Sequence, residues 1–289
     1  MGNENRIEFY KNRSFGERLS AAADFLRQNW KIFLKNIMVP SIPFILLEAY
    51  FLPKYMEMVS ALSLGDTDAF ASDGWAVLII IMFLSLYLYA VSGALMSLYE
   101  EGNLTNETKW SDLSSKMFSN AGKLFLIGLA VTLVIIVIAT VIGFLFAGGG
   151  MVIGTLLIFV FMFVLIAAIP PLSMIIYPAF FQGESTWSSI QTGFSLGFKN
   201  WGSTFGILFV SGIMASIVSY ALGTPYQLWI LFNPSEIGVL TYVFAIFYAL
   251  GSVLGAPFTF VFLAFQYFSI TEKEEGISLK SKIDEFDNL

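Results

Sequence analysis

Glu48 is the one acidic residue inside the long apolar stretches of this 289-residue chain. A carboxylate in such a place is costly unless it has a use, and one such group could couple the movement of a proton or cation. Glu48 lies four residues before Leu52, beside Tyr50 and Phe51, near the end of its stretch. That position predicts a partly solvated side chain with a structural role; an internal cavity at Glu48 would instead mark a coupling carboxylate. Asp66, Asp68 and Asp73 form a second acidic group. Hard cations take oxygen ligands, but the spacing lacks the other ligands of a calcium loop and its closing Glu, so a solvated loop is expected. The chain has no His and no Cys. Serine–histidine catalysis, thiol chemistry and haem on either residue are therefore excluded, and acidic ligands alone suit zinc poorly. Gly148-Gly149-Gly150 follows no strand and lacks the lysine of a phosphate loop, so it reads as a tight turn. No catalytic motif remains. The expectation is a non-enzymatic protein without cofactor or metal.

The elements that carry these residues follow from composition. Hydrophobic residues make up 57% of the chain and charged residues only 12%, with mean hydropathy +0.76. A soluble domain is nearer a quarter charged. Six stretches have the roughly 20 apolar residues that a bilayer requires: about Ile32–Leu52, Trp75–Leu98, Leu124–Phe146, Met151–Tyr177, Phe205–Leu222 and Ile237–Phe265. Seven of the 15 Lys and Arg residues occur up to Lys35, and alternate intervals between the stretches hold fourteen of them against one, Lys54. Basic residues stay cytoplasmic, so both termini are expected there. The sequons at Asn12, Asn103 and Asn106 then face the cytoplasm, where no glycosylation is expected. Residues 1–35 are net +3 and suit an anionic inner leaflet, while residues 272–289 are net −3. The basic excess is too small for nucleic acid. The expected partners are the lipid bilayer and, beyond it, other membrane proteins.

An amphipathic helix precedes the first stretch. Ser14 and Glu17 have capping-box spacing, and Phe15, Leu19, Ala22, Leu26 and Trp30 recur on one face. A second begins after Ser185 or Thr186, with Trp187, Ile190, Phe194, Phe198 and Trp201 on one stripe. Such helices can lie in the membrane interface. The two align at an offset of 171 residues, Asn29-Trp30 on Asn200-Trp201, Ala22 on Gly193 and Phe25 on Leu196. A degenerate middle copy places Asn120 on Asn29, Leu113 on Ala22 and Met117 on Leu26. The expected fold is all-α, with six membrane spans in three parallel repeats of an interfacial helix plus two spans. The repeats cover about 14–98, 108–177 and 185–265 within a membrane domain of 1–270, followed by an acidic cytoplasmic tail at 271–289. Asn29, Trp30, Asn120, Asn200 and Trp201 form the elbows between interfacial helix and span. The two best elbows are expected to superpose, each Asn bonded to backbone. The basic residues of these helices come singly, so no phosphoinositide-type site is read from them.

Prolines interrupt the spans at Pro40, Pro43, Pro170, Pro171, Pro178 and Pro257. Proline removes an amide donor and kinks a helix, which a membrane tolerates where neighbours or a cavity satisfy the freed carbonyls. A cavity around Pro40, Pro43, Pro171 and Pro257 is one reading. Gly150 with Gly154, Gly202 with Gly206, and Gly251 with Gly255 have the spacing of close helix crossings.

The run from Trp187 to Gly206, WSSIQTGFSLGFKNWGSTFG, resembles a repeated helix–Asn–aromatic–span element of bacterial membrane proteins related to the membrane domain of glycerophosphodiester phosphodiesterases. Phe15–Trp30 is similar to its amino-terminal copy, and Gln266–Leu279 resembles the end of uncharacterised members from Bacteroidetes-type bacteria. The resemblance carries no catalytic residues and implies an inner-membrane protein rather than lipid hydrolysis. Two functions are expected from the whole. The first is a non-enzymatic scaffold or accessory subunit in envelope or membrane homeostasis. The alternative is a transport or lipid-handling protein with a proline-kinked cavity.

Overall fold

The computed structural model describes residues 6–105, 108–233 and 237–277, without the side chains of 145–154. Asn106, the 278–289 part of the tail, and the Gly150–Gly154 packing all fall outside the described residues. Every regular element among the described residues is a helix. They are α1 (Phe15–Ser63), α2 (Ala76–Glu100), α3 (Trp110–Met174), α4 (Tyr177–Phe181), α5 (Thr186–Lys199), α6 (Trp201–Phe232) and α7 (Val239–Glu275), with two short 3-10 turns between α1 and α2. Helices close all their backbone hydrogen bonds internally, which the bilayer demands. Among the described residues six helical segments are long and apolar enough to cross a membrane, one for each expected stretch. The chain is therefore a multi-pass membrane protein.

The assignment of α3 runs through Gly148-Gly149-Gly150, where the sequence predicted a turn. Glycine weakens a helix by only about 1 kcal/mol, and no proline stands there to end it. Yet α3 reverses direction. Lys123 Nζ donates to the Ala179 carbonyl at 2.7 Å, although 56 residues separate them. A straight helix would hold them roughly 84 Å apart. The chain midpoint between the two is residue 151. The chain therefore doubles back between them, and the apolar spans Trp110–Phe144 and Thr155–Phe181 run antiparallel.

In α1 the difference runs the other way. A break was expected at Asn29-Trp30, but the helix continues for 49 residues with Pro40, Pro43 and Pro53 inside it. The capping box forms: the Ser14 amide donates to Glu17 Oε2 at 2.7 Å and the Glu17 amide to Ser14 Oγ at 3.4 Å. The buried face is Ala22, Phe25, Asn29, Phe33, Ile37, Ser41, Ile45, Glu48 and Leu52, one stripe along the rod. The predicted stripe was turned by about one residue, for Phe15 and Trp30 are exposed.

Contacts divide the chain into two compact units. The first gathers the chain up to Ala21, Phe118–Leu208 and the chain from Leu263. Here the Arg13 amide donates to Ser269 Oγ at 3.0 Å, and Arg18 Nη1 to Gln266 Oε1 at 2.7 Å. Gln266 Nε2 in turn donates to Ser203 and Thr204 hydroxyls at 2.8 and 3.1 Å. Phe9 stacks on Phe268 with centroids 4.6 Å apart. The Arg13 guanidinium is satisfied by the carbonyls of Phe9, Lys11 and Glu8. Burial lowers its pKa below the usual arginine value, while Glu8 and Glu17 act to raise it.

The second unit comprises Ala22–Met117 and Phe209–Phe262. Its tightest crossing is the predicted Gly251 and Gly255 pair. A Cβ on Gly251 would stand 2.8 Å from the Ser219 carbonyl oxygen, and one on Gly255 would stand 2.7 Å from Ser219 Oγ. Ser219 Oγ donates to the Gly251 carbonyl at 3.0 Å. The predicted pair Gly202 and Gly206, in the first unit, is not such a crossing. Gly202 has open space beside it and Gly206 meets only the Phe15 ring.

Candidate functional site

The elbow at Asn200-Trp201 is a true break in the helix. Asn200 closes α5 with φ −111° and ψ 31°, outside the helical region. Its Nδ2 donates to the Leu196 carbonyl at 3.1 Å and to Glu274 Oε1 at 3.2 Å. Trp201 Nε1 donates to the Ala167 carbonyl at 2.7 Å. Two adjacent side chains thereby tie the end of α5 to α3 and α7. The Asn29-Trp30 pair lies mid-helix. Asn29 Nδ2 donates to the Phe25 carbonyl at 2.9 Å, the same i−4 bond, but so do Asn36 to Ile32 and Asn233 to Trp229. The bond is thus no mark of an elbow, and the two elbows differ in fold. Burial keeps the aligned register all the same. Ala22, Leu113 and Gly193 are all buried, as are Asn29 and Asn120, with Asn200 half-buried.

α5 begins at the expected place, with Ser185 Oγ accepting from the Ser188 amide. Its aromatic stripe faces outward. Trp187 is 68% exposed and Phe198 67%. The opposite face is made of Ser189, Gly193, Leu196 and Gly197. A Cβ on Gly193 would lie 2.4 Å from Ile175 Cα, and one on Gly197 would lie 2.6 Å from Pro171 Cα. Ser189 Oγ donates to the Ile175 carbonyl at 2.5 Å and accepts from the Ala179 amide at 2.9 Å. Only hydrogen-sized side chains let α5 lie directly on this backbone. Sequence reasoning missed Gly193 and Gly197, although their four-residue spacing matches that of the pairs it did single out.

Glu48 is where the structure departs most from the sequence reading. It was expected partly solvated, and it is 1% exposed, with Oε2 bonded to nothing among the described residues. The cause is the length of α1, which runs on to Ser63 instead of ending near Leu52. Glu48 is thus held on the buried stripe. Its neighbours Ala49 and Leu52 join Val77, Tyr226 and Ala245 in a core cluster, with Tyr55 and Tyr248 packed against it. Tyr248 lies within electrostatic reach of Glu48, and the buried Tyr226 hydroxyl is also unbonded among the described residues. The acidic loop residues are engaged locally: Asp66 Oδ1 accepts from the Asp68 amide, and Asp73 pairs with Lys54.

Pro171 lies in the first unit under Gly197. Pro257 lies on a groove in the second unit, whose α1 wall is Leu26, Trp30, Phe33, Leu34, Ile37 and Met38. Neither Pro40 nor Pro43 lines that groove, because they sit beyond its Met38 end. It encloses about 160 Å³ and its walls are apolar. A second, polar hollow lies around Glu101, Asn103, Thr108, Lys109 and Lys116. Lys116 pairs with Glu101 there at 2.5 Å.

Comparison with protein-family models, curated proteins and solved structures finds no match to this chain. The sites above therefore rest on their own geometry.

Proposed function

We propose that this protein is a non-enzymatic scaffold or accessory subunit of a bacterial inner membrane, with cytoplasmic termini and α5 lying in the headgroup layer. The observation that carries this reading is the two-sidedness of α5. Its small-residue face is fixed to the protein's own backbone, while Trp187, Phe194 and Phe198 are left bare. Exposed aromatic rings beside the end of a span are what the membrane interface accommodates. The stripe also continues into the next span, where Trp201 stacks on Phe205 at 5.2 Å. The polar edge of the helix, with Ser195 and Lys199 exposed, is then the surface offered to a protein partner.

A photo-crosslinking residue placed at Phe198 and, separately, at Ser195 tests this in cells. The reading expects phospholipid adducts at Phe198 and a protein adduct of defined mass at Ser195. Protein adducts at Phe198 would contradict the interfacial placement. No protein adduct at Ser195 would contradict the scaffold.

Glu48 favours a second reading, transport or lipid handling, because a buried carboxylate with an unbonded oxygen is expensive to keep. Natural proteins keep such costs where function needs them. Glu48→Leu should then raise thermal stability in detergent, whereas a structural Glu48 predicts a loss.

A further inference from the structure

We propose that the groove between α1 and α7 of the second unit holds an acyl chain of an anionic phospholipid, whose phosphate rests on a basic ridge of α1. This goes beyond the scaffold reading and does not depend on it. The ridge exists only because α1 is unbroken. Arg27, Lys31 and Lys35 recur every four residues, so a continuous helix aligns them on one side. A break at Asn29 would have separated Arg27 from the two lysines. The ridge runs directly beside Leu26, Trp30 and Leu34, which keep the same four-residue spacing and form the groove wall. Leu26 to Met38 is thirteen residues, and from Trp30, at the headgroup level, the groove runs about 12 Å along the helix to Met38.

Charge and polarity choose the occupant. Lys31 and Lys35 are exposed and form no ion pair among the described residues. Arg27 pairs with the half-buried Asp24 at 2.9 Å, its one ion pair among the described residues. Lys31 Nζ stands 5.7 Å over the ring of Trp30, which is 53% exposed at the side of the groove. A tryptophan with an ammonium over it is suited to the headgroup level, and clustered basic residues beside a span attract anionic lipid. A peptide segment fits poorly. The nearest side-chain amides, Asn29 and Asn36, are spent on their own helix, so a bound backbone would find no partners along apolar walls. An acyl chain has no polar groups to satisfy.

The full-length protein, purified in mild detergent, would be titrated with phosphatidylglycerol or phosphatidylcholine of identical acyl chains and read by native mass spectrometry. Wild type should retain phosphatidylglycerol at least tenfold better. R27Q/K31Q/K35Q should lose that preference by about tenfold or more while still binding lipid. Leu254→Trp, which fills the groove from α7, should weaken both lipids. Lys273→Gln, a basic change elsewhere, should change neither. Phosphatidylglycerol should also raise the melting temperature of wild type, a readout that needs no variant to fold. Equal retention of both lipids by wild type would overturn the proposal. So would an unchanged preference in the triple variant, or wild-type binding by Leu254→Trp.

Discussion

Asn29-Trp30 and Asn200-Trp201 are the same dipeptide put to opposite uses. At 200–201 the helix breaks, and the two side chains reach to Leu196, Glu274 and Ala167, so that three helices are held at one point. At 29–30 the helix continues, the Asn is spent on its own turn, and the Trp stands open at a groove. Identity of residues preserved the local i−4 bond but not the fold. Gly202 and Ser203 stand in the first turn of α6, where Ser203 Oγ donates to the Asn200 carbonyl at 3.1 Å. Lys31, Ile32 and Phe33 continue α1, with Phe33 buried against Phe25 at 5.6 Å between ring centroids.

The strongest way to break this contrast is to fill the seat of α5. Gly193→Leu forces a side chain into the backbone at Ile175 and should cost about 1–3 kcal/mol or prevent folding. A thermal melt in detergent would show it, and unchanged stability would mean that α5 is not seated there. Next, Trp201→Phe should lose about 1 kcal/mol with its bond to Ala167, while Trp30→Phe should leave the melting point unchanged. Equal losses would erase the distinction between the elbows. Asn200→Ala should cost about 1 kcal/mol through its two partners, and Asn29→Ala less, since the Phe25 carbonyl keeps its helical amide. The smallest effect belongs to Lys199→Gln. Its pair with Glu274 is 3.4 Å long and largely exposed, so the change should stay below about 0.5 kcal/mol.

The spans were legible because a bilayer imposes a length and a hydrophobicity that sequence displays directly. The helix starts at Ser14 and Ser185 were legible too, since capping depends on residues three apart. The exposed and buried faces were not. In a membrane protein large apolar residues face lipid as readily as protein, so the aromatic stripe of α5 marked its outside, and Ser189, Gly193 and Gly197 its inside. Glu48 was misplaced for a related reason. The end of an apolar stretch was taken as the end of a helix, whereas α1 runs on past Leu52 to Ser63 and keeps Met58 buried. Lys123 shows the converse, a long-range bond that no local pattern announces yet which reveals that α3 turns back.

In the proposed topology α3 is two antiparallel spans and both termini share the cytoplasmic side of the membrane. The absence of native cysteine makes single-cysteine labelling with a membrane-impermeant maleimide its most direct test. Cysteines replacing Asp68 and Gly149 should react from outside intact cells, and those replacing Asp112 and Glu274 only after the membrane is opened. Gly149→Cys protected together with Asp112→Cys, or Glu274→Cys labelled in intact cells, would contradict the account.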